Sequence, residues 1–226
     1  MSPRPRTVDD STILEAAVTV LGRIGPERLT LADVGSEAGL SAATLVQRFG
    51  SKRDLMLSVL KFATTGFENR LQTAIDENDS PLEAIFAAAM NRPGALSEPE
   101  TISNMFAFYM SDMRDPQFRE LAQENARNAV AGFKTLLDEA VAKGEITESY
   151  VDTAQLAETI YSLTLGTQMR WSIYGEGCYR AMIRSELDVL LRPFRRGPRK
   201  AIGVTTRETS DRPGTKLDAA AAPAGA

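Results

Sequence analysis

No histidine occurs among the 226 residues, and cysteine occurs once, as Cys178. The first absence removes the commonest general base, the commonest transition-metal ligand and the usual partner of a nucleophilic serine or cysteine. The second excludes an intrachain disulfide and a thiolate zinc cluster. Cys178 has no basic cluster beside it in sequence to favour the thiolate, so it reads as an inert thiol rather than a redox sensor. Long apolar runs are missing as well. The most apolar stretches, Ala84 to Met90 and Met105 to Met110, fall far short of the roughly twenty residues that a bilayer span needs. Met1-Ser-Pro-Arg-Pro-Arg6 has no apolar segment of the kind a signal peptide carries, so a cytoplasmic location is the expectation. Chemistry by Asp, Glu or Lys stays open in principle, yet no paired-carboxylate or phosphate-loop motif stands out. No catalytic residue, metal site or cofactor is assigned, and the chain is not read as an enzyme.

What remains is ordinary for a globular protein, with 43% hydrophobic and 25% charged residues. The length suffices to bury a substantial core in one domain or two. Apolar spacing is helical throughout, which predicts an all-α fold. After a cap among Asp9, Asp10 and Ser11, residues Ile13, Ala17, Val20 and Ile24 recur on one helix face. Leu31, Val34 and Ala38 then line a second, shorter helix, which Gly39 ends by taking the left-handed conformation. Ser41 caps a third helix, with Leu45 and Phe49 on its inner side. Two short helices set at a steep angle by a brief turn, covered by a longer one, form a helix-turn-helix unit.

Ser41 to Arg48 is the candidate recognition helix. Ala42, Ala43 and Thr44 near its start are small enough for close approach to a major groove. Gln47 is long enough to pair with an adenine edge, Arg48 can reach phosphate or guanine, and Val46 suits a thymine methyl. The net charge of −4 is not that of a strongly basic nucleic-acid module. Placement counts for more than the sum: Arg4 and Arg6 lie on an N-terminal arm, and Arg48, Lys52 and Arg53 cluster where the third helix ends and the fourth begins.

Leu29-Thr-Leu-Ala-Asp-Val34, Ala38-Gly-Leu-Ser41, Thr44-Leu45 and Phe49-Gly-Ser-Lys-Arg-Asp-Leu55 occur here in fixed order after a long first helix. In this the chain, over roughly residues 9 to 60, resembles the N-terminal domain of the TetR family of transcriptional regulators. The resemblance implies phosphate contacts from Thr30 and Lys52, the latter at a helix N-terminus whose free N–H groups also favour phosphate. It further implies that the remainder is a helical ligand-binding and dimerisation domain. One position departs from the pattern: the family's phosphate-contacting tyrosine after Thr-Leu is replaced by Val46. Either that contact is lost or Gln47 and Arg48 take over more of the docking.

Beyond the motif, helices are predicted from near Ser51 to Ile75, from Leu82 (Ser80 as cap, Pro81 in the first turn) to Asn91, over 98–112, from Asp115-Pro116 to Lys143, over 151–171, and over 179–194. The expected organisation is a disordered arm over 1–8, a helix-turn-helix DNA-binding domain over 9–54, an effector-binding and dimerisation domain over 55–195, and a disordered Ala/Pro/Gly-rich tail over 196–226. The helices at about 151–174 and 179–194 need a covering surface, and a four-helix homodimer interface supplies one. Phe86, Met90, Met105, Phe106, Tyr109, Met110, Met113 and Trp171 fit either a core or the wall of an apolar effector pocket; the resemblance favours the pocket. Together these features imply a ligand-responsive, homodimeric regulator of double-stranded DNA without membrane attachment, acting as a repressor on a palindromic operator with half-sites about 34 to 36 Å apart. The rival expectation is a helical small-molecule-binding or adaptor protein that has lost specific DNA binding.

Overall fold

A computed structural model of the chain describes residues 8–90, 98–111, 113–147 and 152–195. The expectations for residues 1–7 and 196–226 lie outside them. Asp9 accepts from the Thr12 N–H and opens α1, Asp10–Arg28. Inside that element Gly25 has φ 79° and ψ 167°, a conformation open to glycine alone, so the helix breaks there and a last turn follows from Pro26. Thr30 opens α2, Leu31–Ala38, through a reciprocal cap with Asp33. Gly39, left-handed at φ 68°, closes it. Ser41 accepts from the Thr44 N–H to open α3, Ala42–Phe49, and Ser51 does the same with Asp54 for α4, Lys52–Asp76.

The remaining helices are α5 (Pro81–Met90), α6 (Pro99–Ser111), α7 (Pro116–Ala142), α8 (Thr153–Tyr174) and α9 (Tyr179–Leu191), followed by a 3-10 turn at Arg192–Phe194. No strand occurs among the described residues, as the helical apolar spacing predicts.

Two apolar clusters hold the helices. The first joins Ile13, Ala17, Val20 and Leu21 of α1 to Val34, Leu45, Leu55 and Val59, and it also takes in Phe108 of α6 and Phe118 of α7. The second gathers α5, α7, α8 and α9 around Phe86, Phe133, Leu137, Ile160, Ile183 and Leu187. Helix α4 serves both: Leu55, Met56, Val59 and Leu60 lie in the first cluster, and Ala74 with the half-buried Phe67 and Leu71 lies in the second. The expected boundary at 54/55 therefore falls one turn inside a continuous helix, and α6 and α7 each feed an aromatic ring into the N-terminal core. Trimming buried Leu45 to alanine would leave a cavity between α1, α2 and α4 and cost about 2–5 kcal/mol.

Candidate DNA interface and effector region

Helix α3, opened by Ser41, carries most of the residues expected to meet DNA. Leu45 is fully buried and Phe49 half-buried, which fixes the rotation of the helix; Ala43, Val46, Gln47 and Arg48 are consequently exposed. Gly35 of α2 permits the tight turn, because a Cβ there would sit 2.8 Å from the Leu40 carbonyl oxygen. Ser41 and Thr44 pair their hydroxyls at 2.9 Å at the start of α3.

The candidate cations all have partners within the fold. Arg48 donates from Nη1 to the Val8 carbonyl oxygen at 2.5 Å and forms an ion pair with Asp10, so it clamps the start of α1 against α3. Lys52 donates from Nζ to the Pro26 carbonyl oxygen at 2.7 Å and ties the head of α4 to the broken end of α1. Arg53, on the same rim, pairs with Asp115 at 2.7 Å and bonds Gln117 at 2.6 Å. Arg48 reaches phosphate or guanine only by giving up these contacts, and its carboxylate partner at the start of α1, remote in sequence, has no signature in the local pattern. Thr30 is similarly engaged. Its hydroxyl donates to Asp33 at 2.6 Å, which with the Thr30 N–H holds the Asp33 carboxyl below the ordinary carboxylate range. Arg28, exposed in the last turn of α1 and two residues from Thr30, is a cation on this side that local pattern reading missed.

The aromatic and methionine residues are divided between the two cores. Phe86 and Trp171 are buried and Met90 and Phe106 half-buried in the second core, whereas Met105 and Tyr109 pack against the first. Met113 is half-buried, and Met110 is 71% exposed, pointing away from both. Met105 and Tyr109, four residues apart, share the face of α6 that meets the first core, while Phe106 lies about 100° round the helix and meets the second. Trp171 closes the α8–α9 turn, donating from Nε1 to the Gly177 carbonyl oxygen at 3.2 Å, with the Tyr179 ring 5.7 Å away.

Sequence reading also missed a polar set between α4, α6, α7 and α8. Thr64 donates to Asn125 Oδ1, whose amide donates to the Leu60 carbonyl oxygen at 3.1 Å. Burial, and then the neighbouring Tyr109 phenol, push the Tyr161 hydroxyl above its usual range. On the outer side of the same bundle, Leu165, Met169, Ile173 and Tyr174 of α8 and Val189 of α9 are exposed, Ile173 at 71%. Residues 165, 169 and 173 repeat every four positions, so they form one apolar stripe.

The description "Bacterial regulatory proteins, tetR family" matches residues 13–59, and "BetI-type transcriptional repressor, C-terminal" matches residues 80–193, half of the chain. The chain belongs to the TetR family of transcriptional regulators. Within TetR, it is similar to the HTH-type transcriptional regulator BetI of Agrobacterium fabrum, 25% identical over 199 residues that span 86% of this chain and 93% of that protein. Among solved structures, SmeT, the repressor of the Stenotrophomonas maltophilia multidrug efflux pump SmeDEF, overlays with a TM-score of 0.62 at 22% identity, covering 84% of this chain and 92% of SmeT. A transcriptional regulator from Saccharomonospora viridis in complex with choline overlays with a TM-score of 0.67 at 21% identity, covering 80% and 94% of the two chains. These overlays establish a shared TetR fold. The chain is accordingly a DNA-binding transcriptional regulator with a repressor-type C-terminal half. No described helix is long and apolar enough to cross a membrane.

Proposed function

We propose that the protein is a homodimeric repressor that binds a palindromic operator through two copies of α3 and releases it when a small, largely apolar effector enters the α4–α8 region. The observation that carries this reading is the division of labour in the fold. A capped α3 with an exposed outer face sits at one end, and the apolar stripe Leu165, Met169, Ile173 with Val189 lies on α8 and α9. Packed on its two-fold mate, that stripe becomes the seam of a four-helix interface and sets the separation of the two α3 helices. Ala43, Val46 and Gln47 would face base edges. Ser41, Ala42, Thr44, Thr30, Lys52 and Arg28 would border the phosphates, and Arg48 would join them only by leaving Asp10.

For the effector, the half-buried Phe67, Phe106 and Tyr161 offer apolar surface, and Thr64 and Asn125 offer the few polar atoms that fix orientation. Phe86, Met90, Met105, Tyr109 and Met113 would add apolar surface to it, whereas Met110 is exposed and Trp171 closes the α8–α9 turn. An effector acts only through its preference for one of two arrangements of α4, α6 and α1 over the other.

Selection of duplexes from a random library by the purified protein tests the reading. Enrichment of an inverted repeat, bound by two chains and competed off in the presence of a bound small molecule, is the expected result. Choline, bound in the Saccharomonospora viridis structure, and stearoyl-CoA, bound in the structure of the transcriptional regulator FadR from Bacillus subtilis, are the first compounds to add. A library that emerges unenriched overturns the reading.

A further inference from the structure

The outward face of α3 carries almost no polar chemistry. Ala43, Val46 and Gln47 lie on it within a single turn, all exposed, Val46 at 49%. The polar side chains around them are engaged: Ser41 with Thr44, Arg48 with Val8 and Asp10, Lys52 with Pro26. Gln47 is the one polar side chain on α3 that makes no hydrogen bond among the described residues.

We propose, on the reading of α3 as the recognition helix, that this face selects A·T pairs, with Val46 and Ala43 packed on thymine 5-methyl groups and the Gln47 amide bonded to adenine N6 and N7. On the floor of the major groove the thymine methyl is the apolar group, whereas G·C pairs present acceptors and an amino donor. A branched hydrocarbon pressed on those polar atoms would strip their water without replacing its hydrogen bonds. On a thymine methyl the same side chain removes apolar surface from water. The glutamine amide has a donor and an acceptor at the spacing of adenine N7 and N6, so the second base of the same pair, or of its neighbour, is read from the next position on the helix. Val46 has no hydroxyl for a phosphate oxygen, so its contribution falls on sequence choice rather than on general DNA affinity.

The experiment uses the full chain and its selected operator. Each half-site thymine is replaced in turn by deoxyuridine, symmetrically in both halves, which deletes the 5-methyl and keeps the base pair. Dissociation constants are then measured for the wild-type protein and for Val46→Ala, with thermal unfolding to confirm that the variant is folded. One or two positions per half-site are expected to weaken wild-type binding about fourfold per methyl group, the effect of one buried methyl. At the position under Val46 the loss should shrink in Val46→Ala. A complex indifferent to uracil at every position, equal losses in both proteins, or a selected half-site without A·T pairs overturns this proposal while leaving the regulator reading intact. Failure to form any sequence-selective complex overturns both.

Discussion

Asn104 of α6 donates from its side-chain amide to the Gly22 carbonyl oxygen of α1 at 2.7 Å, and a Cβ built on Gly25 would lie 2.9 Å from the same residue's Oδ1. The break in α1 and the seating of α6 are thus one feature. A carbonyl freed near the kink is satisfied by a side chain from the effector half, and glycine at 25 makes room for it. Gly25→Ala should destabilise the fold by about 1–3 kcal/mol, through the positive φ and through the clash. For a chain of this size that lowers Tm by about 2–4 °C per kcal/mol. Adding Asn104→Ala should relieve the clash and leave the φ strain, so the double variant should be more stable than the sum of the two single losses. Strict additivity in thermal unfolding would contradict the coupling.

The ion pair of Arg48 with Asp10 holds a cation of α3 inside its own domain. Asp10→Asn should release Arg48 to phosphate. Its operator affinity should then rise at low salt, and the plot of log affinity against log salt should steepen by about two for a dimer, one counterion per freed arginine. A slope identical to wild type would show that Arg48 stays on Val8 in the complex.

Ile173 and Met169 stand exposed on the α8 stripe. A glutamate at either place would bury an unpaired charge in the dimer seam at a cost of several kcal/mol. Ile173→Glu should sediment as a monomer with unchanged helical content, and it should lose most of its operator affinity because the two half-sites would no longer be engaged together. A dimer of unchanged stability would place the seam elsewhere.

The pH response should be flat near neutrality, since the chain has no histidine. Hydrogen bonds hold Asp9 (from Thr12), Asp33 (from Thr30) and Asp138 (from Lys134) below the ordinary carboxylate range, and Arg192 does the same for Asp188. Carboxyls with lowered folded values contribute stability above the unfolded value of about 3.9 and lose it as pH falls through the folded value. Chemical denaturation at pH 8, 6 and 5 should give similar midpoints, with the decline confined below about pH 4. A midpoint that drops between pH 7 and 5 would require a group outside this set.

Local chemistry was the legible part of the sequence. Asp9, Thr30, Ser41, Ser51 and Asp115 each accept a backbone N–H at a helix start, and the side chain and its partner lie within three residues of one another. The helix-turn-helix and the later helices could be read for that reason. Gly25-Pro26 carries the punctuation of the break, directly after the apolar period ends at Ile24. The rest depends on long-range partners. Nothing near Arg48 in sequence announces Asp10, and nothing near Met110 says that it faces water while Met105 is packed inward. Period alone assigns a face to a helix; only the packing of neighbours decides which core, or none, that face meets.

In the proposed complex, one dimer places two α3 helices in successive major grooves on the same side of the duplex. Inserting about half a helical turn, roughly five base pairs, between the half-sites of the selected operator tests it directly, because the second site then rotates to the opposite face. Fluorescence anisotropy at about 50 and 200 mM salt should show affinity for the spaced site falling to the level of a single half-site, while the parent operator keeps tight, steeply salt-dependent binding. Equal affinity for both spacings would contradict the account.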